Sequence, residues 1–299
     1  MSSNSERFVS EPYVIKGRHF NHVWDDLLVF LLEHGNQSAP RVLTTKEKLN
    51  VSLHVEIPRS NILVNQVRDL GYRAMVAEWL WIASGTDRLV PLLRYNKNYA
   101  KFSDDGTTLY GAYGPRIRLV WDSVIRLLRN DRDTRQAVIS IWAPETRRDT
   151  KDTPCTETLH FLIRDNRLHL TVNMRSSDAW LGLPNDFYVF SQLLNEMACE
   201  VDEDIGTMTM NLASSHLYAE NFEKAEKAVD MRSVALQSPA FRMTWPLKEL
   251  YKRFEQQNSA PITLGPQQTI WNMYVDVLNS TKREDAFWIL RKMEHIDDD

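Results

Sequence analysis

The chain has 299 residues, 43% of them hydrophobic, which is enough to bury a large core in one or two domains. Its net charge of −4 at pH 7 argues against binding to a nucleic acid polymer or a membrane surface, because such proteins usually carry a basic excess. The two cysteines and the lack of a membrane-spanning segment exclude a disulfide framework and favour a cytoplasmic protein. Neither cysteine lies in a zinc-type spacing, so we expect no metal.

The first half of the chain mixes predicted helices and strands. Residues 1–20 are polar and irregular. Helical spacing then runs through "FNHVWDDLLVFLLEHG" and stops at Gly35, a residue typical of helix ends. The alternating "KLNVSLHVEI" predicts a strand. Two more helices are predicted in "QVRDLGYRAMVAEWLWIASG" and "RIRLVWDSVIRLLRND".

The centre of the chain is typical of a sheet. "QAVISIW" predicts a strand, and "TLHFLIRDNRLHLTVNM" predicts a hairpin that turns at Asp165 and Asn166. A helix is expected over about 187–200, where Asp186 occupies the position of an N-cap. "GTMTMNLASSHLYAENFEKAEKAV" predicts a strand that leads into a helix.

The last part of the chain predicts helices at about 266–278 and 283–294. We find no internal repeat and no linker, which favours one α+β domain over residues 1–299. Within it, residues 1–20 are the irregular N-terminal segment and residues 230–299 are a divergent C-terminal region.

Cys155 follows a proline at the start of a predicted strand, and two interpretations of it are open. It is either a small buried residue or a nucleophile, and a nucleophilic thiolate needs positive charge nearby. Arg175, one hairpin later, is a candidate source of that charge. Cys199 lies on the apolar face of a predicted helix, which favours a core role.

Three arginines stand in loops, namely Arg41, Arg135 and Arg175. Singly, each is typical of a solvated surface charge. Together they form a candidate phosphate clamp, because a guanidinium group matches phosphate oxygens in charge and geometry.

The order and spacing of these pieces resemble the thymidylate synthase family from about residue 22 to about residue 229. The resemblance rests on "PC", "NMRSSDAWLGLPND", "SSHLY", "EWLWIASGT" and "LYGAYG". Arg175 follows Cys155 by twenty residues, which is the family's interval. The implied fold is α+β, with a mixed β-sheet packed with helices and an obligate homodimer formed through the sheet.

The resemblance also implies a chemistry. Cys155 is expected to add to C6 of a pyrimidine nucleotide, so that C5 attacks the one-carbon unit of 5,10-methylenetetrahydrofolate, the co-substrate. Glu78 is expected to organise a proton-relaying water network near the base, and Tyr113 to help remove the C5 proton.

The resemblance to the family also implies which residues of this chain bind the nucleotide and the folate. The phosphate is expected to be held by Arg41, Arg175 and Ser176 of one subunit and by Arg135 from the other. His216 and Tyr218 are expected to hold the sugar. The folate is expected to contact Asp178, Leu181, Gly182, Trp81 and Tyr99.

Asp186 departs from the family, whose synthases carry asparagine at this position. A fixed amide suits the N3–H and O4 of uracil, whereas a carboxyl group suits the N3 acceptor and N4 amino group of cytosine. An ionised Asp186 facing O4 is expected to disfavour uracil by about tenfold to over a hundredfold. The predicted substrate is therefore dCMP or CMP, with dCMP favoured.

The Asn-to-Asp exchange resembles deoxycytidylate and cytidylate 5-hydroxymethylases, in which water captures the exocyclic methylene. A phage or modified-nucleotide pathway, and hence a host cytoplasm, is inferred by analogy. Four further departures fit hydration or alter binding: Thr156 after the nucleophile, Tyr99 and Phe102 in place of a tryptophan pair, Gln136 in place of a second arginine, and the C-terminal "HIDDD" in place of an apolar tail.

Three alternatives stay open at this stage. The first is a dCMP 5-methyltransferase that releases dihydrofolate. The second is a thymidylate synthase or dUMP hydroxymethylase. The third is a non-catalytic nucleotide-binding homologue, against which the retention of Cys155, Glu78 and Tyr113 argues.

Overall fold

A computed structural model describes residues 11–241, 244–255 and 269–293. Its strands are β1 Tyr13–Gly17, β2 Asn36–Ser38, β3 Thr45–Val55, β4 Ser60–Val64, β5 Val138–Ser140, β6 Thr156–Arg164, β7 Arg167–Met174, β8 Ser177–Asp178, β9 Asp204–Tyr218 and β10 Val234–Gln237. Its α-helices are α1 Phe20–His34, α2 Tyr72–Ser84, α3 Val90–Leu93, α4 Tyr113–Asn130, α5 Leu183–Val201, α6 Phe222–Met231, α7 Trp245–Glu255, α8 Thr269–Asn279 and α9 Arg283–Met293.

The main sheet is mixed and runs in the order β1-β3-β9-β7-β6-β5, with β2 paired to β3 and β8 paired to β9. β7 and β8 lie parallel to β9, whereas β3 is antiparallel to it. Helices α1 and α5 pack against the sheet, and α2 packs against α5. The α+β fold with a mixed sheet packed with helices is therefore confirmed.

The core lies between the sheet and these helices. Alternate residues of the strands, such as Val51 and Leu212, are fully buried there because successive side chains of a strand point to opposite faces. The rings of Phe20 on α1 and Phe187 on α5 stack with their centroids 3.9 Å apart. This packing fixes the start of α5, which carries Asp186.

The predicted hairpin is confirmed. Asp165 and Asn166 both have positive φ, at 52° and 56°. Such a turn matches the twist of antiparallel strands, and Asp and Asn adopt this backbone conformation more easily than other residues with a Cβ atom. The turn places Cys155 at the beginning of β6 and Arg175 just after the end of β7.

Three local predictions were wrong, and one helix was missed. Residues 13–17, within the irregular segment, form strand β1 beside β3. The second helix begins at Tyr72 rather than near residue 66, and α7 was not predicted. Asp186 is not an N-cap, because α5 already begins at Leu183 and the Asp186 N–H donates to the Gly182 carbonyl at 3.0 Å.

The sheet face opposite the helices carries polar side chains joined in a row. Ser52 donates to Asn211 at 2.8 Å, Asn211 to Asn173 at 3.0 Å, and Asn173 to Thr158 at 2.8 Å. The four side chains are half-buried in the single chain. A homodimer through this sheet stays a prediction. The "HIDDD" segment lies outside the described residues.

Candidate active site

A cavity of about 870 Å³ collects most of the residues singled out in the sequence. Its lining includes Arg41, Glu78, Trp81, Tyr99, Tyr113, Cys155, Arg175, Ser176, Gly182, Asp186, His216 and Tyr218. An adjoining cavity of about 690 Å³ shares several of these residues and adds Asp178 and Leu181. Arg135 lines neither cavity and is exposed just before β5.

Cys155 and Arg175 are held together by the backbone. The Arg175 N–H donates to the Cys155 carbonyl at 2.9 Å. The Arg175 side chain donates from Nε to the Pro154 carbonyl at 2.8 Å and from Nη2 to the Thr153 carbonyl at 2.9 Å. Its Nη2 also lies 3.6 Å from the Cys155 sulphur. The guanidinium group therefore fixes the segment that carries the cysteine.

The charge of Arg175 bears on the ionisation of Cys155. Burial raises the pKa of the Cys155 thiol, and Arg175 opposes this shift, whereas Asp186 adds to it. A thiolate is the nucleophilic form, so the arginine is the group that favours reactivity here. Without such a cation, burial would leave the thiol inert.

Tyr113, the first residue of α4, faces the same sulphur region. Its hydroxyl accepts a hydrogen bond from the Thr156 N–H at 3.4 Å. Burial raises the pKa of Tyr113 well above its ordinary value, and the carboxyl group of Asp186 adds to the shift. The phenol is therefore neutral and keeps a proton that it can donate or relay.

Glu78 on α2 meets two donors in the cavity wall. The Asn185 Nδ2 donates to Glu78 Oε2 at 3.3 Å, and the Tyr99 phenol also hydrogen-bonds the Glu78 carboxyl group. Burial raises the pKa of Glu78, and both hydrogen bonds oppose the rise. Three segments, α2, α5 and the 3₁₀ turn Lys97–Phe102, therefore converge on one acid.

Asp186 lies in the first turn of α5, with part of its surface open to the cavity. Burial raises its pKa well above the ordinary value, and the nearby carboxyl groups of Glu78 and Asp178 raise it further. This shift favours the protonated form of the carboxyl group. A protonated carboxyl group offers one donor and one acceptor.

His216 and Tyr218 stand side by side near the end of β9, with their rings edge to face and the centroids 5.1 Å apart. Burial lowers the pKa of His216, whereas the carboxylate of Asp178 opposes that shift. A neutral imidazole and a phenol are suited to hydrogen-bond a sugar hydroxyl. Asp178 uses Oδ1 to accept from the N–H groups of Trp180 and Leu181, both at 2.9 Å.

Arg41 reaches the cavity from a strained turn. Both Arg41 and Val42 have positive φ, at 50° and 61°. For a β-branched residue such as Val42 this conformation is an outlier, costing about 1–3 kcal/mol. The segment therefore stores strain directly beside a cation that lines the cavity.

The predicted folate wall is partly apolar. The Trp81 ring is buried, and its indole N–H donates to the Arg88 carbonyl at 2.8 Å. Leu181 and Phe102 are exposed at the mouth of the adjoining cavity. Gly182 packs beside the acid, since a Cβ atom at this position would lie 3.4 Å from Asp186 Oδ2, an ordinary van der Waals distance.

Sequence reasoning missed two polar groups of this site. Asn185 directly precedes Asp186, but only the three-dimensional contact connects it with Glu78. Glu47 lies opposite His216 in the pairing of β3 with β9, lines the cavity and accepts a hydrogen bond from Ser214. No spacing signal in the chain marks either residue.

A second cavity of about 880 Å³ lies at the other end of the sheet. It is lined by Cys199, Arg132 and Glu203, and the last two form an ion pair. No predicted site residue lies there. Among the described residues we find no group of three or more His, Cys, Asp or Glu able to hold a metal ion. Within the same ranges, no helix is long and apolar enough to cross a membrane.

The fold and the cavity define an α+β protein with a cysteine-centred site, and comparison with known proteins gives its family. A family model described as "Thymidylate synthase" matches residues 22–264, which is most of the chain. The chain therefore belongs to the thymidylate synthase family.

Two relatives carry the same printed name, deoxyuridylate hydroxymethyltransferase. The protein of Bacillus phage SP01 is 28% identical, and the match covers 93% of this chain and 77% of that protein. The protein of Delftia phage PhiW-14 is 30% identical over 56% of this chain and 52% of its own length. The chain thus spans about three quarters of the first relative and about half of the second.

Proposed function

We propose that this chain catalyses folate-dependent 5-hydroxymethylation of a pyrimidine deoxynucleoside monophosphate, with dCMP as the favoured substrate. The observation that carries the proposal is the convergence of Cys155, Arg175 and Asp186 on one cavity. A nucleophile, a phosphate-binding cation and a base-reading acid are the groups that this chemistry requires.

The first step is the attack of the Cys155 thiolate on C6 of the base. The electron pair of the C5–C6 bond moves towards C5 and C4, which makes C5 a nucleophile. Arg175, 3.6 Å from the sulphur, stabilises the thiolate before attack. The phosphate is held by Arg175, Arg41 and Ser176, all of which line the cavity.

The second step joins C5 to the one-carbon unit of methylenetetrahydrofolate, which is the co-substrate of the family. The two adjoining cavities have volumes of about 870 and 690 Å³ and share Cys155 and Asp186. Each volume falls in the range typical of small-ligand sites, so a nucleotide and a pterin fit side by side. Tyr113 accepts or relays the proton that leaves C5.

The third step decides the product. Loss of the C5 proton breaks the bond between the one-carbon unit and the folate nitrogen, so tetrahydrofolate leaves unoxidised and an exocyclic methylene forms. Water adds to this methylene to give a hydroxymethyl group, and Cys155 leaves C6 as a thiolate. Two replacements in the wall, Tyr99 and Phe102, support access of water, because each is smaller than the tryptophan expected from the family resemblance. In a methyltransferase, by contrast, a hydride from the folate would reach the methylene first.

The proton shared between Asp186 and the base favours cytosine over uracil. A protonated Asp186 donates to N3 and accepts from the N4 amino group. An ionised Asp186 can still pair with cytosine protonated at N3, whereas uracil has no corresponding form. Cytosine therefore binds with the shared proton on either partner, and uracil binds only when Asp186 carries it.

Hydroxymethylation of dUMP is the second candidate, and two observations favour it. The raised pKa of Asp186 favours the neutral carboxyl group, which can accept from N3–H and donate to O4 of uracil. The two relatives described above are also named for deoxyuridylate. If Asp186 is neutral, its preference for cytosine over uracil is expected to be weaker than if Asp186 is ionised.

We further propose a homodimer in which Arg135 serves the site of the other subunit. Arg135 is exposed and away from its own cavity, and the polar sheet face is uncovered in the single chain. Gln136 stands where the family has a second arginine. Of these two positions, Arg135 alone therefore supplies a positive charge to the phosphate site.

The test is a product analysis with dCMP, dUMP and CMP as separate and competing substrates, in the presence of formaldehyde and tetrahydrofolate. The expected result is 5-hydroxymethyl-dCMP with no dihydrofolate. Dihydrofolate formed in equal amount to the product would establish a methyltransferase instead. A uridine product with no reaction of dCMP would establish the second candidate. Binding without any reaction would identify a non-catalytic homologue.

A further inference from the structure

The Glu78 carboxyl group is held from two sides by residues outside its own helix. Asn185 Nδ2 donates to Oε2 at 3.3 Å from the first turn of α5. The Tyr99 phenol hydrogen-bonds the same carboxyl group from the 3₁₀ turn Lys97–Phe102. Two donors leave the carboxyl group little freedom to rotate, and Glu78 and Tyr99 both line the cavity.

The position of Asn185 connects two acids. It is adjacent to Asp186, so one turn of α5 directs an amide to Glu78 and a carboxyl group to the base site. The turn is rigid because α5 begins there with a proline, Pro184, and Phe187 stacks on the core. A shift of this turn would move both contacts together.

We propose that Asn185 and Tyr99 are positioning residues for the hydration step, holding the Glu78 carboxylate where it accepts a proton from the water that attacks the C5 methylene. This inference rests on the proposed function. It adds a role for two residues that hydrogen-bond Glu78, and Asn185 was not among the site residues expected from the sequence.

The water oxygen forms a bond to the exocyclic carbon, and one water proton passes to a Glu78 oxygen. The electron pair of the C5–methylene double bond moves towards C5 and C4. It then restores the C5–C6 double bond as the C6–S bond breaks, and Cys155 leaves as a thiolate. The proton on Glu78 balances the negative charge that the thiolate releases into the site.

The charges around Glu78 set the pH at which it can act. Asp186 faces it from α5, Tyr99 from the 3₁₀ turn, and Tyr113 from α4 stands next to Tyr99 and Asp186. The pKa of Glu78 is raised by burial and is brought back down by the hydrogen bonds from Tyr99 and Asn185. Loss of either donor is therefore expected to raise that pKa further.

The test compares Asn185→Leu, Asn185→Asp and Tyr99→Phe with the full-length parent chain. Each substitution is close to isosteric, and the two Asn185 variants separate loss of a donor from gain of a charge. Asn98→Ala is the control, because it removes an exposed side chain from the same 3₁₀ turn. Two quantities are measured with C5-tritiated dCMP and methylenetetrahydrofolate: the pH profile of product formation, and the ratio of released tritium to hydroxymethyl product.

The acidic limb of the pH profile is expected to move to higher pH by about 0.5–1 unit in Tyr99→Phe and Asn185→Leu, and further in Asn185→Asp. The tritium-to-product ratio is expected to rise above one, since proton loss from C5 outruns hydration. Asn98→Ala is expected to match the parent in both quantities.

The outcomes separate the two proposals. A parent chain that forms product, with variants that keep its pH limb and its tritium-to-product ratio, overturns the role of Asn185 and Tyr99 alone. A parent chain that neither releases tritium nor forms product, with dCMP or dUMP, overturns the proposed function and this inference with it. If Asn185→Leu fails to fold, Tyr99→Phe and Asn185→Asp decide.

Discussion

Arg175 Nη2 lies 3.6 Å from the sulphur of Cys155 and also donates to the Thr153 carbonyl at 2.9 Å. One side chain therefore supplies the charge that favours the thiolate and fixes the backbone that presents it. The two roles are separable, because lysine keeps the charge and loses the planar fork, whereas glutamine loses the charge.

Arg175→Gln is expected to slow the alkylation of Cys155 by iodoacetamide about tenfold or more near pH 8, because loss of the cation raises the thiol pKa further. The measurement is the pH dependence of the alkylation rate. Arg175→Lys is expected to lie between the parent and Arg175→Gln. Arg167→Gln, an exposed arginine at the other end of the same strand, is the control. An unchanged profile in Arg175→Gln would remove Arg175 from the activation of the nucleophile.

Asp186→Asn is expected to change the ratio of kcat/KM for dCMP and dUMP by about tenfold or more in favour of dUMP. A fixed amide pairs with N3–H and O4 of uracil, and it cannot share a proton with cytosine N3. Competition between the two nucleotides in one reaction measures the ratio directly. A folded variant with the parental ratio would show that Asp186 does not read the base.

The same substitution is expected to stabilise the empty protein at pH 8 and to change little at pH 4. The folded-state pKa of Asp186 is raised by burial and by Glu78 and Asp178, so its contribution to stability is present below the unfolded value and is lost as pH rises through the folded value. Asparagine avoids that loss, worth about 1 kcal/mol or roughly 2 °C in Tm.

Thermal unfolding at the two pH values checks this expectation, with Asp122→Asn, an exposed acid on α4, as the control. Equal effects of Asp186→Asn at pH 4 and pH 8 would contradict the raised pKa.

The sequence predicted the hairpin at Asp165 and Asn166 because the positive φ of such a turn is a local property that favours these residue types. It predicted the strands on either side from their alternation. The start of α5 was predicted four residues late, because Pro184 is typical of a turn and is also common in the first turn of a helix. Strand β1 was missed because its partner, β3, lies far along the chain.

The candidate site was also predictable only in part, because some of its properties depend on contacts between distant segments. Comparison with the family motifs singled out Cys155, Arg175 and Asp186. All three line one cavity. The pKa of Asp186 is raised by burial and by Glu78 and Asp178, which come from other segments, so this shift could not be predicted from the sequence alone. Asn185 could not be found in advance, since its contact with Glu78 spans the packing of α5 against α2.

Mixed subunits test the shared site. Arg135→Ala and Cys155→Ala are each expected to lose most activity as pure proteins. A mixed dimer of the two variants has one site with both defects and one site with neither. When an equal mixture is unfolded and refolded, random pairing makes about half of the dimers mixed, and each has one intact site of two. The mixture is therefore expected to restore about a quarter of the parental activity. Mixing Cys155→Ala with Arg175→Ala, two defects of the same subunit's site, is the control and should restore none. Absence of recovery in the first mixture would contradict a contribution of Arg135 across the interface.

The most direct test of the central claim is the mass of the covalent complex. A fluorine at C5 cannot leave as a proton does, so 5-fluoro-dCMP with methylenetetrahydrofolate should halt the reaction after the one-carbon transfer. Denaturing mass spectrometry is expected to show one adduct that contains nucleotide and folate, located on the peptide that carries Cys155, and no adduct in Cys155→Ala. An adduct on another residue, or a parent chain that turns over dCMP yet forms no adduct with the fluorinated nucleotide, would contradict the account.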